Sequence, residues 1–212
     1  MQLAINYVAK LAGSLHNPEV TYTVLASGKE AKVMAEASNV PDLLEQIKQV
    51  NLSPHPDRND SEGLYEGASK AVEILKQTSG VRSVVILSDD DDDIKSKEIQ
   101  KLKTEFAEHH IRCYSILLAN RDFYGTKARS AAGIHLRSLS TFTGGGQYQT
   151  NWQERRADLS VLSAITARMT EGSIISFTLP EHLGAKPGTY SLKAQLGQTG
   201  KSYKTTPFVV SP

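Results

Sequence analysis

A run of five consecutive aspartates, Asp89 to Asp93, is the most concentrated set of chemically active side chains in this sequence. One residue, Ser88, separates it from Val84 to Leu87, a continuous apolar stretch rich in β-branched residues, which predicts a strand buried on both faces of a parallel sheet. Ligands of open α/β sheets bind beyond the carboxyl ends of the strands. Carboxylates placed there either hold a hard cation, which prefers oxygen ligands, or form a solvated acidic loop.

The solvated loop is the simpler interpretation of the aspartates. Carboxylates are favourable at helix N-termini, so Asp92 or Asp93 is expected to cap a helix that begins near Ile94. Asp89 is the aspartate expected to point into the crevice. Adjacent like charges attract cations from solution, but specific binding does not follow from that attraction.

No motif in the sequence predicts catalysis. Cys113 lies in a predicted buried strand and is expected to be a core residue. The pair His109-His110 lies at a predicted helix end, where the helix dipole favours histidine. Gly144 to Gly146 follow a helix, whereas a phosphate-binding loop precedes one. The sequence contains no G-x-S-x-G nucleophile elbow, and we expect no enzymatic activity.

Length and composition exclude several classes of protein. The chain has 212 residues, a net charge of +1 and 22% charged residues of interspersed sign, so no basic stripe suggests nucleic-acid binding. No apolar stretch reaches the ~20 residues that span a bilayer. The single cysteine excludes an intrachain disulfide. The N-terminus lacks the basic start of a signal peptide, so we expect a cytoplasmic chain as written, or a periplasmic or cell-surface one if it is N-terminally truncated.

Hydrophobic periodicity predicts alternating helices and strands over residues 1–171. Helices are predicted over residues 1–15, from a start within 38–42 to residue 50, and over 61–78, 94–109, 127–142 and 155–169. Strands are predicted over 20–26, 31–35, 81–87, 111–118 and 147–149. The glycine-containing turn between the first two strands predicts an antiparallel hairpin. This order predicts an α/β fold, a Rossmann-like, open and mostly parallel sheet flanked by helices.

The tail of the chain has a different pattern. Ser173 to Leu179, Gly188 to Leu196 and Tyr203 to Val210 are strand-like segments with no helix between them, which predicts antiparallel β structure. We therefore predict two domains, an α/β domain over residues 1–171 and a β-rich C-terminal extension over 172–212.

The succession of motifs over residues 1–150 resembles a von Willebrand factor type A domain. A helix and an antiparallel hairpin precede SEGLYEGASKAVEIL, where the family has a Thr-led segment. VVILSDD follows, where the family has an apolar strand ending in Asp-Gly. IRCYSILLA then occupies the position of the family's next strand. LRSLSTFTGGGQY is similar to the family's leucine-rich helix that leads into Thr-Gly-Gly.

The resemblance implies a divalent-cation site, usually for magnesium, built from three loops. Asp89 falls on the third-loop aspartate, and Glu62 falls at or beside the threonine of the second loop. The hydroxyl of Ser61 could substitute for that threonine after a shift of one residue. The first loop, Asp-x-Ser-x-Ser, has no counterpart, because Met1 already lies in the helix that should follow it. Asp89, Ser61 and Glu62 are therefore the candidate metal ligands, no cofactor is firmly predicted, and magnesium binding would be weak.

The resemblance also implies that the central first strand of the sheet is missing. Its neighbours would be left with unpaired backbone groups, which are unfavourable when buried. The gap would be closed by re-pairing, by another segment of the chain, or by another molecule, such as a second copy in a homodimer.

The expected function is that of a non-catalytic, bacterial protein-interaction module of type A with a degenerate or absent metal site. Its contacts with an unidentified protein partner would be made by the loops over residues 54–61, 89–93 and 120–125. The alternative is a metal-dependent, adhesin-like ligand binder whose first strand lies upstream of Met1.

Overall fold

The computed structural model describes residues 2–15, 19–28, 30–50, 63–88, 94–118, 131–150 and 157–170, together with four short strands near the C-terminus. The helices are α1 (Gln2–Ser14), α2 (Val40–Gln49), α3 (Gly63–Leu75), α4 (Ser96–Glu108), α5 (Ala131–Phe142) and α6 (Leu159–Thr170). The strands before α6 are β1 (Tyr22–Ser27), β2 (Ala31–Ala37), β3 (Arg82–Ser88), β4 (Ile111–Leu118) and β5 (Gly146–Thr150). The C-terminal strands are β6 (Gly188–Tyr190), β7 (Lys193–Gln195), β8 (Ser202–Lys204) and β9 (Phe208–Val210).

The principal sheet of the described residues is parallel and has three strands in the order β3-β4-β5. Arg82 pairs with Ile111 and Ser88 with Leu117 in one ladder, and Tyr114 pairs with Gly146 in the next. Each parallel connection passes through a helix, α4 between the first pair and α5 between the second. The predicted Rossmann-like α/β architecture is confirmed.

Helices cover both faces of this sheet. Side chains of α3, α4 and α5 form one apolar cluster, which Val84 and Ile86 of β3 join. Side chains of α1 and α6 form the cluster on the opposite face, which Val85 and Leu87 join. The alternation along β3 is the period of two expected of a strand with a helical layer on each side.

The predicted hairpin is also confirmed. Strands β1 and β2 pair antiparallel, Tyr22 opposite Ala37 and Ser27 opposite Ala31, with an irregularity between Val24 and Leu25. The hairpin forms a separate two-stranded sheet among the described residues. A third apolar cluster joins it to α2 and to α1, with Leu43 fully buried at its centre.

Burial of β3 differs from the prediction. The residues from Arg82 to Leu87 are each only partly buried. In the neighbouring β4, by contrast, Cys113, Tyr114 and Ser115 have no exposed surface. Both strands lie between helical layers, but β4 has a strand on each side, whereas no described strand pairs with the outer edge of β3. The continuous apolar run correctly indicates a parallel strand, and β3 is less buried than β4, the strand that is paired on both sides.

The turn after α5 confirms the predicted role of the glycines. Gly144 has a φ of 79°, the left-handed conformation that glycine adopts without penalty. The Gly145 N–H donates to the Ser140 carbonyl at 2.9 Å, which completes a Schellman-type helix end. A Cβ on Gly145 would lie 1.8 Å from the Cys113 carbonyl oxygen, so the chain passes against β4 where only glycine fits.

The C-terminal strands form antiparallel pairs, β6 with β9 and β7 with β8. The predicted antiparallel extension is confirmed in this respect, although two short strands replace each of the predicted long strands Gly188 to Leu196 and Tyr203 to Val210. The predicted strand Ser173 to Leu179 lies outside the described residues. The division of the chain at residues 171 and 172 stays a prediction.

Candidate functional site

The carboxyl ends of the strands gather at one edge of the molecule, called the carboxyl edge here. Because β3, β4 and β5 are parallel, they end together at Ser88, Leu118 and Thr150. The three candidate metal ligands, Asp89, Ser61 and Glu62, lie outside the described residues, as do the loops over residues 54–61, 89–93 and 120–125. What the structure does describe is the framework from which these segments start.

The end of β1 joins this edge through the start of α3. The Ser27 hydroxyl donates to the Gly63 carbonyl. A Cβ on Gly63 would lie 3.2 Å from the backbone of Gly28, so glycine permits the close approach of helix and turn. Helix α3 then leads back to the start of β3, and both β1 and β3 therefore end at the carboxyl edge.

A chain of hydrogen bonds, buried at the Tyr7–Thr150 pair, holds the other side of the carboxyl edge. The Tyr7 hydroxyl donates to Thr150 Oγ1 at 2.8 Å and accepts the backbone N–H of Asp158 at 2.8 Å. The carboxylate of Asp158 in turn accepts from the N–H of Ser160 at 2.9 Å, which caps the start of α6. Helix α1, strand β5 and helix α6 are thus joined at one point.

The start of α4 corrects the prediction that Asp92 or Asp93 caps this helix. The N-cap residue is Lys95, whose backbone N–H donates to Glu98 Oε2 at 2.8 Å. Ile94 and Ile99, on either side of the cap, are both buried in the same apolar cluster. This arrangement is a hydrophobic staple, and it sets the helix start after the aspartates rather than among them.

The described residues of the carboxyl edge do not by themselves fit a divalent cation. They contain no group of three His, Cys, Asp or Glu side chains that could hold a metal ion. The hydroxyl of Ser27 donates to a carbonyl, and that of Thr150 is bound to Tyr7. A site of the kind that the resemblance implies would therefore depend on Asp89, Ser61 and Glu62.

The sequence did not predict the hydrogen bonds that Tyr7 makes with Thr150 and Asp158, or the hydrogen bond from Ser27 to Gly63. Tyr7 falls between Leu3 and Leu11 at helical spacing, and this spacing signals a buried position without naming a partner. Thr150 is 143 residues away in the sequence, so no local pattern could connect the two. The glycine at position 63 gave no local signal of its packing on the hairpin.

Cys113 is a core residue, as predicted. It has no exposed surface, and its sulfur accepts from the Ser140 hydroxyl at 3.7 Å. Burial raises the pKa of the thiol to about 12, although the hydrogen bond from Ser140 opposes that effect. The thiol is therefore protonated at neutral pH and does not serve as a nucleophile.

The buried thiol predicts a pH dependence of stability. An exposed Cys113 in the unfolded chain ionises near the ordinary pKa of 9.0, whereas the folded thiol stays protonated up to about 12. The unfolded state therefore loses a proton first, and this group's contribution to stability falls as pH rises from about 9 toward 12, by about 1.4 kcal/mol per pH unit. Urea unfolding of wild type and Cys113→Ala at pH 8 and 10.5 should show a fall in stability that is steeper by about 2 kcal/mol for wild type. If the free energy of unfolding fell equally in wild type and Cys113→Ala, the raised pKa of the Cys113 thiol would be contradicted.

The fold and the carboxyl edge together define the class of this protein: an open, Rossmann-like α/β domain with a C-terminal antiparallel β extension. No helix in the described part of the chain is long and apolar enough to cross a membrane.

Comparison with known proteins supports this class through structure alone. No protein-family model matches the chain, and no curated protein matches it. The crystal structure of the conserved hypothetical protein BatB from Bacteroides thetaiotaomicron aligns with a TM-score of 0.62 at 13% identity, covering 79% of this chain and 85% of that one. An aerotolerance-related membrane protein from Bacteroides fragilis NCTC 9343 aligns with a TM-score of 0.57 at 12% identity, covering 79% of this chain and 89% of that one. At these identities the likeness shows the fold and nothing further.

Proposed function

We propose that this chain is a non-catalytic protein-interaction module of the von Willebrand factor type A kind, with a degenerate or absent metal site. Partner contacts are assigned to the loops of the carboxyl edge, including Asp89 to Asp93. In α/β folds, binding residues are placed on loops that a rigid scaffold positions.

The observation that carries this proposal is the hydrogen-bonded framework of the carboxyl edge. Ser27 fixes the hairpin to the start of α3, and Tyr7 fixes Thr150 to the start of α6. These bonds hold the ends of strands β1 and β5 and the starts of two helices in fixed relative positions. A rigid carboxyl edge supports recognition of a partner protein by the loops that extend from it.

The absence of catalysis in this proposal rests on the chemistry of the described groups. Cys113 is the single cysteine of the chain, and its thiol is buried and protonated at neutral pH. The hydroxyls of Ser27 and Thr150 at the carboxyl edge are both engaged in structural hydrogen bonds. Neither hydroxyl has a described histidine as its hydrogen-bond partner, the arrangement by which a base activates such a nucleophile.

A calorimetric titration with Mg²⁺ and Mn²⁺ tests the metal part of the proposal. We expect no saturable heat at millimolar metal for wild type, and no difference for Asp89→Ala. Glu108→Ala is the matched control, because Glu108 is an exposed carboxylate at the opposite end of α4. Saturable binding that disappears in Asp89→Ala alone would overturn a degenerate site and would support the metal-dependent, adhesin-like binder instead.

An affinity enrichment from an extract of the source organism tests the interaction part. A partner recovered by wild type and by Glu108→Ala should be lost when Asp89 to Asp93 are replaced by asparagine, which removes the charges at nearly constant volume. Recovery of the same partner at the same level by all three proteins would place the contact away from the acidic loop and would contradict the proposal.

A further inference from the structure

Four polar side chains gather near the amino ends of β4 and β5, away from the carboxyl edge. They are Arg112 and Tyr114 of β4, Tyr148 of β5 and Arg168 of α6, called the arginine–tyrosine cluster here. Arg112 lies two residues before Tyr114, on the same face of β4. Tyr114 is paired with Gly146, and both tyrosines pack on the face of the sheet that α1 and α6 cover.

The absence of a side chain at Gly146 leaves space where the cluster meets. A Cβ at this position would lie 3.2 Å from Arg168 Nη1 and 3.3 Å from the Tyr148 hydroxyl oxygen. These two polar atoms therefore flank the same point. Arg112 is attached to the same group, because its Nη1 donates to the Arg168 carbonyl at 3.3 Å.

The hydroxyl of Tyr114 is buried and has no hydrogen-bond partner in the part of the chain that the structure describes. Burial raises the pKa of Tyr114, and the guanidiniums of Arg112 and, more weakly, Arg168 oppose that rise. Both guanidiniums therefore lie near the hydroxyl, although neither has the geometry of a hydrogen bond to it. A buried hydroxyl without a partner is unfavourable, and a bound acceptor would satisfy it.

The two arginines give the cluster its charge. Among the described residues, neither Arg112 nor Arg168 forms an ion pair with a carboxylate. Each donates from Nη1 to a backbone carbonyl, and a guanidinium has several further N–H donors in a planar fork. The carbonyl end of α6 opposes an anion with only about half a negative charge, which two guanidiniums exceed.

These groups specify an oxyanion as the ligand. Guanidiniums and phenol hydroxyls donate hydrogen bonds, and a phosphate group accepts them through several oxygens. Its charge of about −1.5 to −2 at pH 7 matches two arginines, whereas a carboxylate carries a single charge. Arg168 is exposed and Arg112 is partly buried, so the ligand would approach from solvent, with the Tyr114 hydroxyl at the inner end of the site.

We infer that the arginine–tyrosine cluster is a binding site for a phosphate group, either the free ion or a phosphate monoester. The arginines neutralise the charge of the ligand, and the Tyr114 hydroxyl donates to a phosphate oxygen. This inference goes beyond the proposed function, because the site lies away from the carboxyl edge and does not involve the loops assigned to partner contacts.

Calorimetric titration at low ionic strength tests the site with two probes, inorganic phosphate and O-phosphoserine. We expect saturable binding of at least one probe, with an affinity that falls as NaCl is added, because salt screens the arginines. Tighter binding of inorganic phosphate would assign the site to the free ion, and tighter binding of O-phosphoserine would assign it to a monoester. The absence of saturable heat with both probes would overturn the inference.

An arginine variant and its matched control locate the contact. Arg168→Gln should weaken phosphate binding at least about tenfold, because it removes charge-assisted hydrogen bonds. Arg137→Gln should leave binding unchanged, because Arg137 is an exposed residue of α5, which packs on the opposite face of the sheet. Equal weakening by the two variants would indicate a non-specific attraction of anions and would contradict the site.

Tyr114→Phe separates a ligand-binding hydroxyl from a structural one. The substitution keeps the ring and removes a hydroxyl that has no described partner, so the stability of the protein without phosphate should not decrease in urea unfolding. The affinity for phosphate should fall about tenfold, because a donor to a charged acceptor is lost. Reduced stability together with unchanged affinity would assign the hydroxyl to the fold and would refute its role in binding.

A carboxylate variant tests whether the chain occupies its own site. Glu171 directly follows the last residue of α6 in the sequence. We expect Glu171→Gln and wild type to bind phosphate equally. Phosphate binding by Glu171→Gln but not by wild type would mean that this carboxylate occupies the cluster, and it would overturn the inference.

Discussion

Replacing Gly145 with alanine is expected to destabilise the protein by about 3 kcal/mol or more, through overpacking against a backbone atom. The new Cβ would lie 1.8 Å from the carbonyl oxygen of Cys113 and 2.7 Å from its carbonyl carbon. Neither atom can move without displacing β4, the central strand of the parallel sheet. The Gly145 carbonyl also accepts from Arg168 Nη1 at 2.8 Å, so a shift of the turn would break a contact with α6.

Urea unfolding followed by circular dichroism measures this effect. Gly13→Ala is the matched control, because its Cβ would meet nothing within 4 Å and the residue lies in helix α1. Alanine has the higher helix propensity, so this control should be stabilised by up to about 1 kcal/mol. Equal stability of Gly145→Ala and wild type would show that the turn is not packed against β4 as described.

Replacing Tyr7 with alanine is expected to destabilise the protein by about 3–5 kcal/mol, the range for removing a large aromatic side chain from a core. Tyr7 of α1 is 1% exposed and packs in a cluster with side chains of β4 and α6. Its hydroxyl also supplies the partner of Thr150 and of the Asp158 N–H. The loss should therefore loosen the attachment of α1 to strand β5 and to the start of α6.

A second substitution separates packing from hydrogen bonding. Tyr7→Phe keeps the ring but leaves the buried Thr150 hydroxyl without its partner, which should cost about 1–3 kcal/mol. Leu159→Ala, at a position that is 67% exposed, should change stability by less than about 0.5 kcal/mol. If Tyr7→Phe were as stable as wild type, the hydroxyl chain would not contribute to the rigidity of the carboxyl edge.

Local patterns predicted the features that depend on neighbouring residues. The helical spacing of apolar residues predicted α3 and α4 to within three residues at each end, and the apolar run from Ile111 to Leu118 coincides with β4. Asn39 accepts from the Asp42 N–H at 2.9 Å and caps α2, as a polar residue before proline indicates. These signals are strong because backbone geometry and side-chain period act over a few residues.

The start of α4 shows where a local signal was misread. Aspartates are favourable N-caps, but Glu98 is placed to bind the backbone N–H of Lys95, and Ile94 can pack with Ile99. The apolar contact favours one starting point over its neighbours, because a helix that began earlier would turn Ile94 away from the core. Choosing among adjacent caps therefore required the packing of α4 against the sheet.

The sequence by itself determined the order of the elements, the antiparallel hairpin, the parallel strand that precedes the aspartates, and the glycine turn after α5. Only the tertiary structure decided that no described strand pairs with the outer edge of β3, that Tyr7 joins Thr150 to Asp158, and that α1 packs against both the parallel sheet and the hairpin. The reason is physical: periodicity records which face of an element is apolar, whereas an unpaired edge or a buried hydroxyl depends on residues far away in the chain. The acidity of Asp89 to Asp93 follows from the sequence alone, whereas the hydrogen-bonded framework of the carboxyl edge forms only in the folded protein.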